Sequence, residues 1–317
     1  MDLKLRIEEL NENLEEANAH LDDLKKDIKK MTANLSRILE KGTPLRPVDN
    51  RVEKYELSAR SKRQTSKSYS NDDFEKFSFL KIRHSVDKEI EKFFISKIQG
   101  STGTVKEILN SLREFTLRGG KRIRPLFMIL GYWLNSDIDE EIVKASISLE
   151  FMQSYLLIHD DIIDQSEIRR GSPAFHKIFG FGERTNESIA LVSADLCNEY
   201  SREALLNAQY PLERLTKAMV YMSELVEYTN VGQLMDMTLL LGDKTRLEDI
   251  TQVYNYKTAQ YTVNGPMKIG AILSGYPNPE EIDEYGLPLG IAFQIQDDIL
   301  GVFGDEKTLG KSVKSDF

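Results

Sequence analysis

The chain has 317 residues, of which 42 are Lys or Arg and 51 Asp or Glu, for a formal net charge of −9. A chain short of cations does not coat nucleic acid, because that binding rests on a basic surplus facing phosphate. With 40% apolar residues it has enough for a real core, so disorder throughout is excluded. No apolar run approaches the roughly 18 residues that a membrane-spanning helix needs. The N-terminus, Met-Asp-Leu-Lys-Leu-Arg, runs straight into charged residues and lacks a signal peptide's apolar stretch. Cys197 is the only cysteine, so no intrachain disulfide forms, and its expected place is a small core position. These features predict a cytoplasmic protein.

Residues 1–41 carry apolar side chains at Leu3, Ile7, Leu10, Leu14, Ala17, Leu21, Leu24, Ile28, Met31, Leu35 and Ile38. The steps alternate four and three, which is a heptad repeat and predicts a coiled-coil helix. Its narrow stripe needs a partner helix, so the segment reads as an oligomerisation or docking arm whose partner is open. Residues 42–75 read as a flexible basic linker. Pro44 and Pro47 open the linker, large apolar residues are sparse, and 42–71 hold seven basic against three acidic residues. The third region, 76–317, is predicted to be all-α. Apolar residues recur at threes and fours over 86–98, 104–117, 123–134, 141–158, 187–206, 212–241, 247–263 and 285–303, and strand alternation of useful length is absent.

Two acidic motifs stand out within those helices. His159-Asp160-Asp161-Ile162-Ile163-Asp164 closes an apolar run, and the spacing of Asp160 and Asp164 puts their carboxylates on one helical face, with Cβ atoms about 5–6 Å apart. Like charges beside an apolar helix are costly without a cation, and hard carboxylate oxygens suit Mg²⁺ together with substrate phosphate oxygens. Phe293-Gln294-Ile295-Gln296-Asp297-Asp298 repeats the arrangement far along the chain. If the two helices face each other, their acids converge on one cluster of metal ions.

The same acidic chain keeps cations close to these motifs in sequence. Gly119-Gly120-Lys121-Arg122-Ile123-Arg124-Pro125 precedes an apolar helix, placing Lys121 and Arg124 near a helix N-terminus that itself favours anions. Arg169-Arg170-Gly171 follows the first aspartate motif, and Lys257-Thr258 and Lys311 lie further on. Acids and cations interleaved in this way point to a bound polyanion with metal.

In this order and spacing, the motifs resemble the trans-isoprenyl diphosphate synthases, and most nearly an archaeal-type geranylgeranyl diphosphate synthase, over about residues 76–316. The resemblance implies an isoprenoid-synthase helical bundle around a central apolar cavity and a homodimer. It also implies about three Mg²⁺ ions per site and head-to-tail condensation of isopentenyl diphosphate with dimethylallyl, geranyl or farnesyl diphosphate. By resemblance, Asp160, Asp164, Asp297 and Asp298 hold metal, with Asp161 beside them, and Lys257 joins these aspartates as catalytic. Lys121, Arg124, Gln153 and Arg170 bind isopentenyl diphosphate. Arg169, Lys257, Thr258, Gln294 and Lys311 hold the allylic substrate, with Gln233 and Asp236 as a supporting polar pair.

Tyr155 and Leu156, the fifth and fourth positions before Asp160, are the family's chain-length positions. They imply a C15–C20 product, with C20 preferred. Helical angles alone place Tyr155 well around from Asp160. Gly301 stands where many members carry a third aspartate, and the heptad arm lies outside the family pattern. The resemblance also implies several more helices and another diphosphate-binding lysine after Phe317. Two rival readings are a class I terpene cyclase, which has no second diphosphate for Lys121, Arg124 and Arg170 to bind, and a non-catalytic synthase-like subunit or fragment tethered by its coiled coil.

Overall fold

The structure, a computed structural model, describes residues 79–239 and 246–303. The heptad segment, the linker and Lys311 lie outside the described residues. The order is α1 (Phe79–Ile98), α2 (Gly103–Leu117), α3 (Ile123–Trp133), α4 (Glu140–Ile163), a hairpin of β1 (Ile168–Arg169) and β2 (Ser172–Pro173), then α5 (Glu183–Leu206) and α6 (Leu212–Leu239). The chain continues through α7 (Leu247–Val253), a π-helix (Tyr254–Asn264), α8 (Gly265–Ser274) and α9 (Asp283–Phe303).

The helices form where the apolar spacing places them. On α1 the buried residues are Val86, Ile90, Phe94 and Ile98, four apart and therefore on one face. By contrast, α4 is buried on nearly every side, including Ile142, Ile147, Leu149, Phe151, Met152, Tyr155 and Ile158, which makes it the central helix. Its start is well determined. Asp139 caps it by accepting a hydrogen bond from the Ile142 amide at 2.9 Å, and Glu140 and Glu141 complement the positive end of the helix dipole. An aromatic cluster of Phe93, Phe94, Phe151 and Tyr200 ties α1, α4 and α5 together, with ring centroids 4.7–6.5 Å apart. Cys197 is buried there, as expected.

Two local features depart from the simple helical pattern. The spacing predicts one helix over 247–263, but the chain leaves α geometry at Tyr254 and stays helical to Ser274. The amide of Gly265 bonds to the Gln260 carbonyl, five residues back. Pro266 has no N–H to continue that ladder, so α geometry resumes there. The second feature is the hairpin after α4. Arg169 pairs with Ser172, and Arg170 and Gly171 form its two-residue turn with φ of 53° and 73°. Positive φ at both central residues is the turn that matches strand twist. Strands two residues long leave no alternation for a sequence reading to find.

Candidate active site

The last turns of α4, the C-terminal third of α6, the start of α3 and the π-helix enclose a cavity of about 400 Å³. Its wall includes Arg124, Gln153, Tyr155, Leu156, Asp160, Gln233, Lys257 and Thr258, all singled out above. Tyr155 and Asp160 both reach it despite their angular separation. The wall also takes in Leu157 and His159, so it covers much of the C-terminal half of α4 and not a single stripe.

At the acidic end, Asp160 lies in the final turn of α4 and Asp164 is its C-cap. Both stand at the negative end of the helix dipole, where anions are disfavoured and cations favoured. The surrounding protein, and next the Asp160 carboxylate, push the accessible Asp164 carboxyl up to about 6. Lys257 answers part of this charge. Its ammonium is 2.6 Å from Asp236 and 3.8 Å from Asp160. Burial works against the ammonium, but Asp160, Asp236 and Asp164 together keep its pKa above the usual lysine value.

Asp161 behaves differently from its neighbour. It is fully buried, and Arg169 holds one of its oxygens through Nε at 2.7 Å and through a second bond from Nη2. Burial raises its pKa and Arg169 pulls it back, with a net upward shift. Arg169 also lies 3.5 Å from Asp160. Asp161 thus tethers the hairpin to α4, and it is not among the residues of the cavity wall.

The second aspartate motif reaches the same region through the π-helix. The Tyr254 hydroxyl donates to Asp298, the Gln294 amide donates to Asp298 at 2.6 Å, and the Thr258 hydroxyl donates to Gln294 at 2.6 Å. Lys257, which faces Asp160 and Asp236, lies between Tyr254 and Thr258 in sequence. One irregular helix therefore touches both acidic motifs. Asp297 lies on the exposed side of α9. Among the described residues, no three His, Cys, Asp or Glu side chains already converge as a ready ligand set. The donors nonetheless fit a hard divalent cation. They are carboxylate oxygens at a helix C-terminus, and the carboxyl of Asp164 has a raised pKa that a cation would lower.

The basic end gathers around α3. Arg124 stacks over the Tyr261 ring with 4.2 Å to the centroid and donates to the Thr262 hydroxyl at 2.8 Å, while its buried Nε has no partner. Tyr261 in turn donates to Gln153. Arg170 donates to the Arg118 carbonyl at 2.8 Å. Burial, then Arg122, Arg124 and Arg169, hold its pKa below the usual arginine value against the opposing pull of Glu150. Lys121 is exposed. Mutually repelling guanidiniums with an unpartnered donor make a site suited to a multivalent anion.

Sequence reasoning missed Tyr254, Tyr261, Asn230, Arg122 and Glu150. The π-helix tyrosines look like ordinary core aromatics, and only the fold places Tyr261 under Arg124. Asn230 bonds to the Tyr155 hydroxyl across the cavity at 3.3 Å. Glu150 did leave a signal, as the only acid between Ile142 and Ile158 on a helix otherwise built for burial.

A family model described as polyprenyl synthetase matches residues 105–317. The chain is 32% identical over 243 residues to a short chain isoprenyl diphosphate synthase of Methanocaldococcus jannaschii, covering 74% of this chain and 67% of that protein. It is 34% identical over 255 residues to a geranylgeranyl diphosphate synthase of Saccharolobus solfataricus, covering 78% and 71%. Its fold is similar to a crystal structure of geranylgeranyl pyrophosphate synthase from Corynebacterium glutamicum complexed with isoprenyl diphosphate and magnesium. That match has a TM-score of 0.69 and 32% identity, and covers 74% of this chain and 72% of that one.

Proposed function

This chain belongs to the polyprenyl synthetase family, and on that premise we propose that it condenses isopentenyl diphosphate with an allylic diphosphate, head to tail, to a C20 diphosphate. It is a short-chain trans-prenyltransferase of the geranylgeranyl and farnesyl diphosphate synthase type. The observation that carries the residue-level reading is the single cavity lined at once by Asp160, Lys257, Gln153, Arg124 and Tyr155. It joins acids, cations and an apolar wall, as the two substrates and a carbocation require.

In this reading the C1–O bond of the allylic diphosphate breaks, and the diphosphate leaves with the electron pair. The double bond of isopentenyl diphosphate then attacks C1, and a proton lost from its C2 restores an alkene. Asp160, Asp164, Asp297 and Asp298 would hold Mg²⁺, which would supply Lewis-acid stabilisation of the leaving group, and about three ions would suit the roughly six negative charges of two diphosphates. Lys257, with Thr258 and Gln294 beside it, orients the allylic diphosphate and meets its growing charge. Gln233 and Asp236 support that end, Asp236 through its ion pair with Lys257. Lys121, Arg124, Gln153 and Arg170 hold the isopentenyl diphosphate. Leu156, Leu157 and Tyr155 keep water from the carbocation. Tyr155 lies about 7.5 Å along α4 from Asp160 and limits chain growth.

A homodimer is part of the proposal. Leu191 and Val192 on α5 and Val220 on α6 are exposed apolar side chains that self-association would cover. Among the described residues, no helix is long and apolar enough to cross a membrane. A cytoplasmic setting is proposed with it, supported by a lone, buried cysteine.

The test is incubation of the purified chain with labelled isopentenyl diphosphate, Mg²⁺ and each allylic starter, followed by chromatography of the product. A C20 diphosphate from the wild type and longer products from Tyr155→Ala are expected. Release of a cyclic hydrocarbon, or no Mg²⁺-dependent product with any starter, would reject the reading.

A further inference from the structure

We propose that Arg122 is the positioning residue of the isopentenyl diphosphate end: its buried guanidinium, clamped by Asp87, Glu150 and two carbonyls, fixes the loop that presents Lys121 and Arg124. The inference rests on the function proposed above and adds to it a residue that touches neither substrate.

Arg122 is the N-cap of α3 and adopts φ 54°, a left-handed conformation uncommon outside glycine. It is 2% exposed, whereas Lys121 beside it is exposed. Nε donates to Asp87 at 2.6 Å, Nη1 to Glu150 at 2.5 Å and to the Thr116 carbonyl at 3.0 Å, and Nη2 to the Leu117 carbonyl at 3.1 Å. These acceptors come from α1, from the end of α2 and from the central helix α4. One guanidinium therefore locks the start of α3 to three other helices, and no lysine has the fork to reproduce this.

The clamp lies beside the proposed anion site. A Cβ added to Gly120 would fall 2.5 Å from Arg122 Nη1, so an alanine there forces the Arg122 guanidinium to move, while Arg170 Nη1 at 3.5 Å is only in ordinary contact. Glu150 offsets the charge of both arginines inside the protein. Without it, Arg122 and Arg170 would repel each other across the loop and spread the diphosphate-binding groups. Groups that bind one anion together need fixed spacing, and errors of about 1 Å are costly.

The experiment uses the full chain, with affinities measured by calorimetry and kinetics with Mg²⁺. Arg122→Lys keeps the charge and loses the clamp. Gly120→Ala keeps every charge and displaces the guanidinium. Both variants are expected to raise Kd and KM for isopentenyl diphosphate by about tenfold or more, while KM for the allylic diphosphate stays within about twofold. A purely structural role would weaken both substrates together, in step with loss of folded protein. The proposal is overturned by an isopentenyl diphosphate Kd within about twofold of wild type in Gly120→Ala, or by equal losses for the two substrates. Should Arg122→Lys not fold, Gly120→Ala decides alone. A wild type that binds no isopentenyl diphosphate would instead reject the proposed function itself, and this inference with it.

Discussion

At the end of α4, Asp161 is fully buried against the charged Arg169 while Asp160 opens onto the cavity; on α9, Asp298 is half-buried and held by the neutral hydroxyl of Tyr254 and the amide of Gln294. Asp161 in the first motif is thus anchored by an ion pair, and Asp298 in the second by donors that carry no charge. The difference matters because a buried charge that loses its charged partner costs more than a partly exposed carboxylate that loses one uncharged donor. The α4 motif is therefore bound up with the stability of the fold, and Asp298 on α9 can adjust its carboxylate at lower cost.

The largest expected effect tests the ion pair. Arg169→Leu leaves the Asp161 carboxylate buried without its partner and should cost on the order of 3–5 kcal/mol in urea unfolding. Adding Asp161→Leu should recover much of that loss. If Arg169→Leu unfolds like wild type, Asp161 is not anchored as described.

Asp160→Asn sharpens the contrast between neighbours. It removes a like charge near Asp164 but also a partner of Lys257 and Arg169, so a smaller loss of stability than in Arg169→Leu is expected, while kcat should fall by about 10²–10³. In the same variant the Asp164 carboxyl should move part of the way down from about 6 toward the ordinary aspartate range, as read by NMR titration. An unmoved Asp164 would leave burial as the whole cause of its shift.

The pH dependence of the metal-free protein follows from the same group. A carboxyl with a raised pKa binds its proton more tightly folded than unfolded. The stability it contributes is complete below the ordinary aspartate range and is lost as pH rises through about 6. The urea midpoint of the metal-free chain should therefore drift downward across that window, and Mg²⁺ should flatten the drift. A midpoint that rises over the window in wild type but not in Asp164→Asn contradicts the assignment.

The smallest expected effect is at α9. Tyr254→Phe removes one hydrogen bond to the Asp298 carboxylate and should cost about 1.5–3 kcal/mol, below the Arg169 variant. A loss as large as that of Arg169→Leu would erase the contrast between the motifs.

The helices were legible because burial imposes a period. Val86, Ile90 and Phe94 on α1, and the long apolar stretch of α4, carry that period in plain view. The aspartate motifs were legible for the opposite reason, since acids placed against apolar helix ends need an explanation. The hairpin and the π-helix were not. A two-residue turn leaves little pattern, and nothing in the local sequence marks Tyr254 as the start of five-residue bonding in a segment that packs against α6 and α9 and returns to α geometry at Pro266.

By its own residues the chain determined an all-α body, a charged cavity mouth and the family chemistry, because helical period and residue type act locally. Only the tertiary structure decided that Asp160 faces the cavity while Asp161 turns inward, that Arg122 is buried while Lys121 is not, and that Tyr261 lies beneath Arg124. Those choices depend on partners beyond the local helix turn, from Arg169 on the hairpin for Asp161 to Tyr261 far along the chain from Arg124, or on a left-handed backbone at Arg122 that surrounding contacts hold in place, and none of these is written in local sequence.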